Sequence, residues 1–132
     1  MAIAILKSLF GRSLGLSKND DLVVANGTIS IDNGTATATA GAATLNKVAG
    51  KITSEALTTA AAATYTLTLT DSKIAAADLV FASVALGTAT TGTPVITRVT
   101  PAAGSVVIVV QNVHASAALN GTIVVSFATV KG

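Results

Sequence analysis

The alternation of apolar and polar residues is clearest in residues 64–70, whose sequence is TYTLTLT. Tyr65, Leu67 and Leu69 occupy one side of this period-two pattern, and threonines occupy the other side. Successive side chains of a strand point to opposite faces of its sheet, so the pattern predicts a half-buried antiparallel strand.

Other apolar runs separated by turn residues predict a series of short strands. We expect strands at residues 22–25, 28–31, 64–70, 79–86, 94–100, 105–111 and 122–130. The run at 105–111 is nearly continuous Val and Ile, which predicts a central strand buried on both faces. Short strands with turn signals at intervals of about 8–12 residues are typical of sandwiches and barrels. The sequence predicts an all-β fold, preferably a jelly-roll-like β-sandwich, with a plainer Greek-key sandwich second.

The connections between these strands carry their own signals. Asn26-Gly27 and Asn33-Gly34 indicate tight turns, because Asn-Gly tolerates the positive φ angles of two-residue hairpins. A further hairpin is expected around residues 46–50, and a turn at residues 101–104. Residues 71–77 are compatible with one helical turn, and no long helix is expected.

Residues 1–20 differ from the rest and predict an N-terminal arm ahead of a β-sandwich domain at residues 21–132. Ile3, Leu6 and Phe10 have helix-compatible spacing, but Gly11 and Gly15 interrupt any helix. The arm either packs against its own domain or contacts a partner. We do not expect a signal peptide, because basic residues interrupt the apolar run and none precedes it.

Composition bears on the partners of the domain. Hydrophobic residues make up 51% of the 132, but aromatic residues only 3% and charged residues only 11%. A surface with so little charge suits contact with other protein, so we favour an oligomer over a thin monomeric sandwich. The net charge of +2 is too small and scattered to predict nucleic-acid binding. The longest apolar stretch, residues 74–86, is too short for a membrane span and contains Asp78.

The polar residues offer little chemistry. The chain has one histidine, His114, and no cysteine, which argues against a paired-histidine or thiolate metal site. Ser105 and Ser116 are conceivable nucleophiles, but neither lies in a G-x-S-x-G motif. We therefore expect no enzyme activity and no cofactor. His114 is expected to order its own turn or to contact a neighbouring subunit, and Asn112, at the start of the same connection, is assigned to that contact.

Two blocks of the chain resemble a known family. The first is LFGRSLGL at residues 9–16, followed by a polar loop and LVV at 22–24. The second runs from EALTTA at residue 55 through TYTLTLT, ASVA and PAAGSVVI to NVHASAALNGTI. Together they cover most of the chain, which resembles small virion structural proteins of tailed bacteriophages. The resemblance implies a capsid decoration (cement) protein, typically a β-sandwich or jelly roll that forms trimers on the outer capsid surface.

The resemblance also implies a partner, the major capsid protein, and a location on the outside of the virion. We expect the arm to make the capsid contact through Leu6, Leu9, Phe10 and Arg12, because apolar anchors with an arginine concentrate binding energy in interfaces. A head-fibre or tail-fibre component, or an adhesin-type binding module, is the alternative.

Overall fold

A computed structural model describes residues 31–132, and every regular element in that range is a β-strand. The predicted all-β class is therefore confirmed. The strands are β1 (Asn33–Thr37), β2 (Ala42–Thr44), β3 (Ala49–Thr53), β4 (Leu57–Thr59), β5 (Thr64–Thr70), β6 (Leu79–Leu86), β7 (Pro94–Ala102), β8 (Ser105–Asn112), β9 (Leu119–Gly121) and β10 (Ile123–Val130).

The strands form two four-stranded sheets and one small pair. Sheet A has the order β1-β3-β10-β6, sheet B has the order β2-β5-β8-β7, and β4 pairs with β9. Each large sheet is antiparallel except at one edge, where β1 runs parallel to β3 and β2 runs parallel to β5. Most connections cross from one sheet to the other, which confirms a β-sandwich and leaves its jelly-roll version a prediction.

The buried faces of sheets A and B share one apolar core. In sheet B, the register places Leu67 of β5 beside Ile108 of β8, and both side chains are almost fully buried. In sheet A, Ile52 of β3 and Val125 of β10 are paired in the same way. Complete burial of one such side chain stabilises the fold by about 1.5–3 kcal/mol.

Strand β5 reproduces the alternation of the sequence. Tyr65, Leu67 and Leu69 are buried, and the four threonines between and beside them are exposed. Strand β8 is central in sheet B, as predicted, and one of its faces is fully buried. On its other face Val109 is buried but Ser105, Val107 and Gln111 are only partly buried, so the predicted burial on both faces is incomplete. The alternation in β5 is predicted correctly because it is a local property of an extended chain.

The predicted turn at Asn33-Gly34 is wrong, since both residues belong to β1. Gly34 is paired with Gly50 of β3, and Leu45 packs over the two glycines. A Cβ atom at Gly50 would approach Leu45 Cδ2 to 2.5 Å, so the glycine provides room for a neighbouring side chain. Asn-Gly therefore serves packing here instead of chain reversal.

Two further local predictions are also wrong. Residues 46–50 do not form a hairpin, because β2 and β3 belong to different sheets and the segment between them crosses the sandwich. Residues 71–77 form two successive turns instead of a helical turn, closed by hydrogen bonds from the Ile74 N–H to the Asp71 carbonyl and from the Asp78 N–H to the Ala75 carbonyl.

The predicted arm, the strand at 22–25 and most of the strand at 28–31 lie outside the described residues. Strands β6 and β10 match or nearly match their predicted bounds, and β7 continues two residues beyond its prediction to Ala102. The turn after it is correspondingly tighter, with Gly104 at a φ of +77°. Ile31–Gly132 forms one compact unit, which is the part of the domain that positions the site below.

Candidate functional site: the Asn112–His114 loop and the outer face of sheet A

Asn112 ends β8 and organises one end of the sandwich. Its side chain is fully buried, with an exposed fraction of 0%. Its Nδ2 group lies within hydrogen-bond distance of three backbone carbonyls, those of Thr59 at 3.1 Å, Ala60 at 3.2 Å and Ala117 at 2.8 Å. A single amide group thus links the end of β4 to the loop that leads into β9.

The carbonyl oxygen of the same side chain holds two other backbone groups. Asn112 Oδ1 accepts hydrogen bonds from the N–H of Thr93 at 2.9 Å and from the N–H of His114 at 3.2 Å. Thr93 immediately precedes β7, so Asn112 also positions the start of that strand. Buried polar groups must find partners, and this side chain satisfies several backbone groups at once.

His114 orders its own turn. Its ring Nδ1 accepts hydrogen bonds from the backbone N–H of Ser116 at 3.1 Å and of Ala117 at 2.8 Å. A nitrogen that accepts two hydrogen bonds carries no proton, so the neutral ring has its hydrogen on Nε2 in this conformation. This outcome is one of the two roles expected for His114, and the contact with a neighbouring subunit stays a prediction.

Asn112 cannot make the predicted subunit contact with its own side chain. Since its side chain is fully buried and bonded within the chain, it can affect such a contact only through the loop that it holds. In that loop, Val113 has an exposed fraction of 50%. The role of Asn112 inside the chain was not predicted from the sequence, and the subunit contact through this loop stays a prediction.

The loop before β7 is fastened to the same end of the sandwich. Asn120 Oδ1 accepts hydrogen bonds from the N–H of Thr91 at 3.0 Å and from its hydroxyl at 2.8 Å. Thr88 and Thr122 exchange hydrogen bonds, each backbone N–H donating to the other hydroxyl at 2.9 and 3.0 Å. These polar side chains are therefore used to join two loops to each other.

In the described part of the chain, no hydrogen bond joins either candidate nucleophile, Ser105 or Ser116, to His114 through the serine hydroxyl. His114 Nδ1 is engaged by the backbone N–H of Ser116 and not by its hydroxyl. Ser105 begins β8, and Asn112 and the His114 loop follow the other end of that strand, about 23 Å away for an eight-residue strand. Ser105 is therefore too far from His114 to exchange a proton with it directly.

Glu55 and Tyr65 form a separate polar contact. The Glu55 carboxylate accepts hydrogen bonds from the Tyr65 hydroxyl at 3.0 Å and from the Gly41 N–H at 2.9 Å. Burial of the ring, and then the hydrogen bond to Glu55, raise the pKa of Tyr65 above its usual value. Gly41 has a φ of +74°, so Glu55 fixes the tight turn that precedes β2.

Asp78 makes an ion pair where β6 begins. Lys131 Nζ lies 2.6 Å from Asp78 Oδ2, and the backbone N–H of Ala75 donates to the same oxygen at 2.8 Å. The hydrogen bond from Lys131, followed by that from Ala75, lowers the pKa of Asp78 to about 2. Within residues 31–132, no group of three or more His, Cys, Asp or Glu side chains is placed to hold a metal ion.

The outer face of sheet A carries exposed apolar side chains. Phe81 is 62% exposed, Leu79 is 59% exposed and Val130 is 52% exposed. Phe81 is paired with Ala128 of β10 and Leu79 with Val130, so these side chains lie together at one corner of the sheet. A shallow groove beside them is lined by residues of β6 and β10, including Ser83 and Ser126. We call this corner the outer apolar patch.

Comparisons with other proteins found no counterpart. A scan against protein-family models, a search of curated proteins and a search of solved structures each produced no match. Of the part of the chain that the structure describes, no helix is long and apolar enough to cross a membrane. The predicted capsid-contact residues Leu6, Leu9, Phe10 and Arg12 lie outside that part.

Proposed function

We propose that this chain is a bacteriophage virion structural protein, a capsid decoration (cement) protein. It binds the outer capsid surface as an oligomer, for which the family resemblance implies a trimer, and its partner is the major capsid protein. Its activity is mechanical: it stabilises the assembled shell.

The outer apolar patch is the observation that most supports the proposal. Leu79, Phe81 and Val130 form an exposed apolar corner on a sheet whose other face is a well-packed core. Exposed apolar patches of this kind mark sites of protein contact in soluble domains. Meanwhile Asn112 and Asn120 direct their polar groups to backbone partners inside the chain, which makes the loops rigid parts of a structural module.

Shell stabilisation follows from mass action. A protein that binds the intact shell but not its separated subunits stabilises the shell by RT ln(1 + [L]/Kd) at each site. At a free concentration of 100 Kd this amounts to about 2.7 kcal/mol per site. Many such sites on one capsid add up, so moderate affinity at each one is sufficient.

The proposal is tested on purified virions of the phage that encodes the chain. We expect quantitative mass spectrometry and cryo-electron microscopy to find the protein on the outer capsid surface, in stoichiometric ratio to the capsid subunit. Its absence from virions would overturn the proposal. A few copies confined to the tail or to fibres would favour the fibre or adhesin alternative, which a glycan array then examines.

The arm has a test of its own. We expect a variant without residues 1–18 to keep the circular dichroism spectrum of a folded β-domain and to lose binding to undecorated capsids. Phe10→Ala with Arg12→Ala should weaken binding, whereas Lys18→Ala in the same segment serves as the matched control. Full occupancy by the truncated protein would show that the arm is not the capsid contact.

A further inference from the structure

The side-chain carbonyl of Asn120 lies in a nest of backbone donors. Its Oδ1 accepts hydrogen bonds from the consecutive N–H groups of Thr90 at 3.2 Å and Thr91 at 3.0 Å. The Thr91 hydroxyl lies 2.8 Å from the same oxygen. Successive backbone N–H groups that point at one atom form a concavity that favours negative charge. The neutral amide oxygen of Asn120 therefore occupies a position suited to an oxyanion or a carboxylate.

Gly121 follows Asn120 directly and supplies a nucleophile. Gly121 is the last residue of β9 and has a φ of +86°, so the extended strand ends at this residue. Glycine has no side chain to hinder approach to its backbone nitrogen. In an Asn-Gly pair that nitrogen can attack the side-chain Cγ of the asparagine and close a succinimide ring. The carbonyl under attack is the one that the nest holds.

We propose that Asn120-Gly121 is a site of self-catalysed deamidation, in which the nest of Thr90 and Thr91 acts as an oxyanion hole. The Gly121 nitrogen loses its proton to solvent base and forms a bond to Asn120 Cγ, while the two N–H groups hold the negative charge that develops on Oδ1. The bond between Cγ and Nδ2 then breaks, and Nδ2 takes a proton from water and leaves as ammonia. A second water opens the ring to give aspartate or isoaspartate. The net reaction consumes water and replaces an amide by a carboxylate.

The nest also suits the product of the reaction. Hydrogen bonds from N–H groups to an ionised carboxylate are stronger than those to a neutral amide. Within residues 31–132 the Asn120 Nδ2 group donates no hydrogen bond, so its replacement by oxygen loses no contact there. Conversion to aspartate therefore tightens the link between β9 and the loop before β7, and it adds a negative charge at this end of the sandwich.

The chain contains a matched control for this chemistry. Asn33-Gly34-Thr35 has the same local sequence as Asn120-Gly121-Thr122, so the two sites should react at similar rates in an unfolded chain. In the folded chain Asn33 belongs to β1, and its Nδ2 group donates to the Ile31 carbonyl at 3.1 Å. No donor within residues 31–132 reaches the Oδ1 atom of Asn33. A difference in rate between the two sites in the native protein therefore comes from the structure.

Peptide mapping by mass spectrometry tests the proposal on the full chain. The protein is incubated in mildly alkaline buffer, and the deamidated fractions at Asn120 and Asn33 are followed with time. In the native protein Asn120 should deamidate at least about tenfold faster than Asn33, because one oxyanion-hole donor contributes about 10²–10³-fold to the rate of acyl transfer. In concentrated urea the two sites should react at equal rates, because unfolding removes the nest.

Two variants of Asn120 test the preference of the nest for the product. Asn120→Asp places the carboxylate there from the start and should have a urea midpoint at pH 7 at or above that of the natural protein. Asn120→Ala leaves the N–H groups of Thr90 and Thr91 without this acceptor and should lower the midpoint. Neither variant should show deamidation at position 120, which confirms the assignment of the modified peptide.

The outcomes decide between a built site and ordinary Asn-Gly chemistry. A native rate at Asn120 less than about tenfold above that at Asn33 would overturn the proposal, and so would an advantage of Asn120 that persists in urea. An Asn120→Asp variant no more stable than Asn120→Ala would show that the nest does not favour a carboxylate. Because none of these measurements involves capsids, failure of the deamidation site leaves the decoration proposal unaffected.

Discussion

Strands β6 and β7 follow each other in the chain, and each forms an edge of one sheet, but the two edges are built in opposite ways. Strand β7 carries prolines, an arginine and a bulge, while β6 is uncharged and continuous. Pro94 is opposite Asn112, whose side chain also holds Thr93 just before β7. Strand β7 is thus fixed in place and protected from further pairing.

Strand β6 combines a buried face with an exposed one that is also apolar. Val80, Ala82 and Val84 pack against the core, whereas Leu79 and Phe81 point outward. Because Leu79 and Phe81 are mostly exposed, we expect the outward residues of β6 to contribute little to the stability of the fold.

The largest effect should distinguish the two phenylalanines of sheet A. Phe127 on β10 is buried in the core, and Phe81 on β6 is mostly exposed. We expect Phe127→Ala to lower the free energy of unfolding by about 3–5 kcal/mol, because it creates a cavity. Phe81→Ala should change it by about 0.5 kcal/mol or less, because the side chain is mostly exposed. Urea denaturation provides both values, and a large loss for Phe81→Ala would show that β6 needs its outward face to fold.

Loss of the Asn112 side chain, which holds the start of β7, should have the next largest effect. Asn112→Ala removes hydrogen bonds to several buried backbone groups and should cost about 3 kcal/mol of unfolding free energy. Gln111→Ala is the matched control, because its side chain makes one exposed hydrogen bond to the Ala62 carbonyl and should cost less than about 1 kcal/mol. Equal losses in the two variants would mean that Asn112 does not organise this end of the sandwich.

Much of the strand pattern could be predicted from the sequence. The bounds of β5 and β6 agree with the alternation and the apolar run that predict them, because both signals depend on neighbouring residues. The conformation of Asn33-Gly34 could not be predicted from local signals. Gly34 leaves room for Leu45, which is eleven positions further along the chain and reaches the glycine only in the folded structure. Local turn preferences are outweighed when a distant side chain needs the space.

The same reasoning explains what was missed at the site. The residues that Asn112 binds near β4 are more than fifty positions away, so its role depends on a fold that the sequence does not display. His114 accepts its hydrogen bonds from residues only two and three positions further along the chain. Local reasoning could therefore predict that it orders its own turn. The position of β6 at the end of sheet A was not predicted, because strand order is needed to identify an edge.

Removing the positive charge of Arg98 tests whether that charge keeps the edge strand β7 from pairing with other chains. Arg98 is exposed and follows the bulge at Thr97. We expect Arg98→Val to increase concentration-dependent association severalfold in light scattering, because an edge charge opposes strand pairing. Lys51→Val, inside sheet A, is the control and should have a smaller effect. If Arg98→Val associates no more than the control, the prolines and the bulge are sufficient to protect β7.

The smallest effect concerns the start of β6, which Asp78 fixes to Lys131. Because the folded state lowers the pKa of Asp78 to about 2, the ionised carboxylate contributes stability that is fully present above its usual pKa of about 4. That contribution is lost as the pH falls from 4 towards 2. We expect Asp78→Asn to be less stable than the natural protein at pH 7 and to approach it at pH 2, as judged by urea midpoints. Asp32→Asn, in the exposed pair with Lys47, should differ little at either pH. A gap for Asp78→Asn that is equal at pH 7 and pH 2 would show that this ion pair does not hold the start of β6.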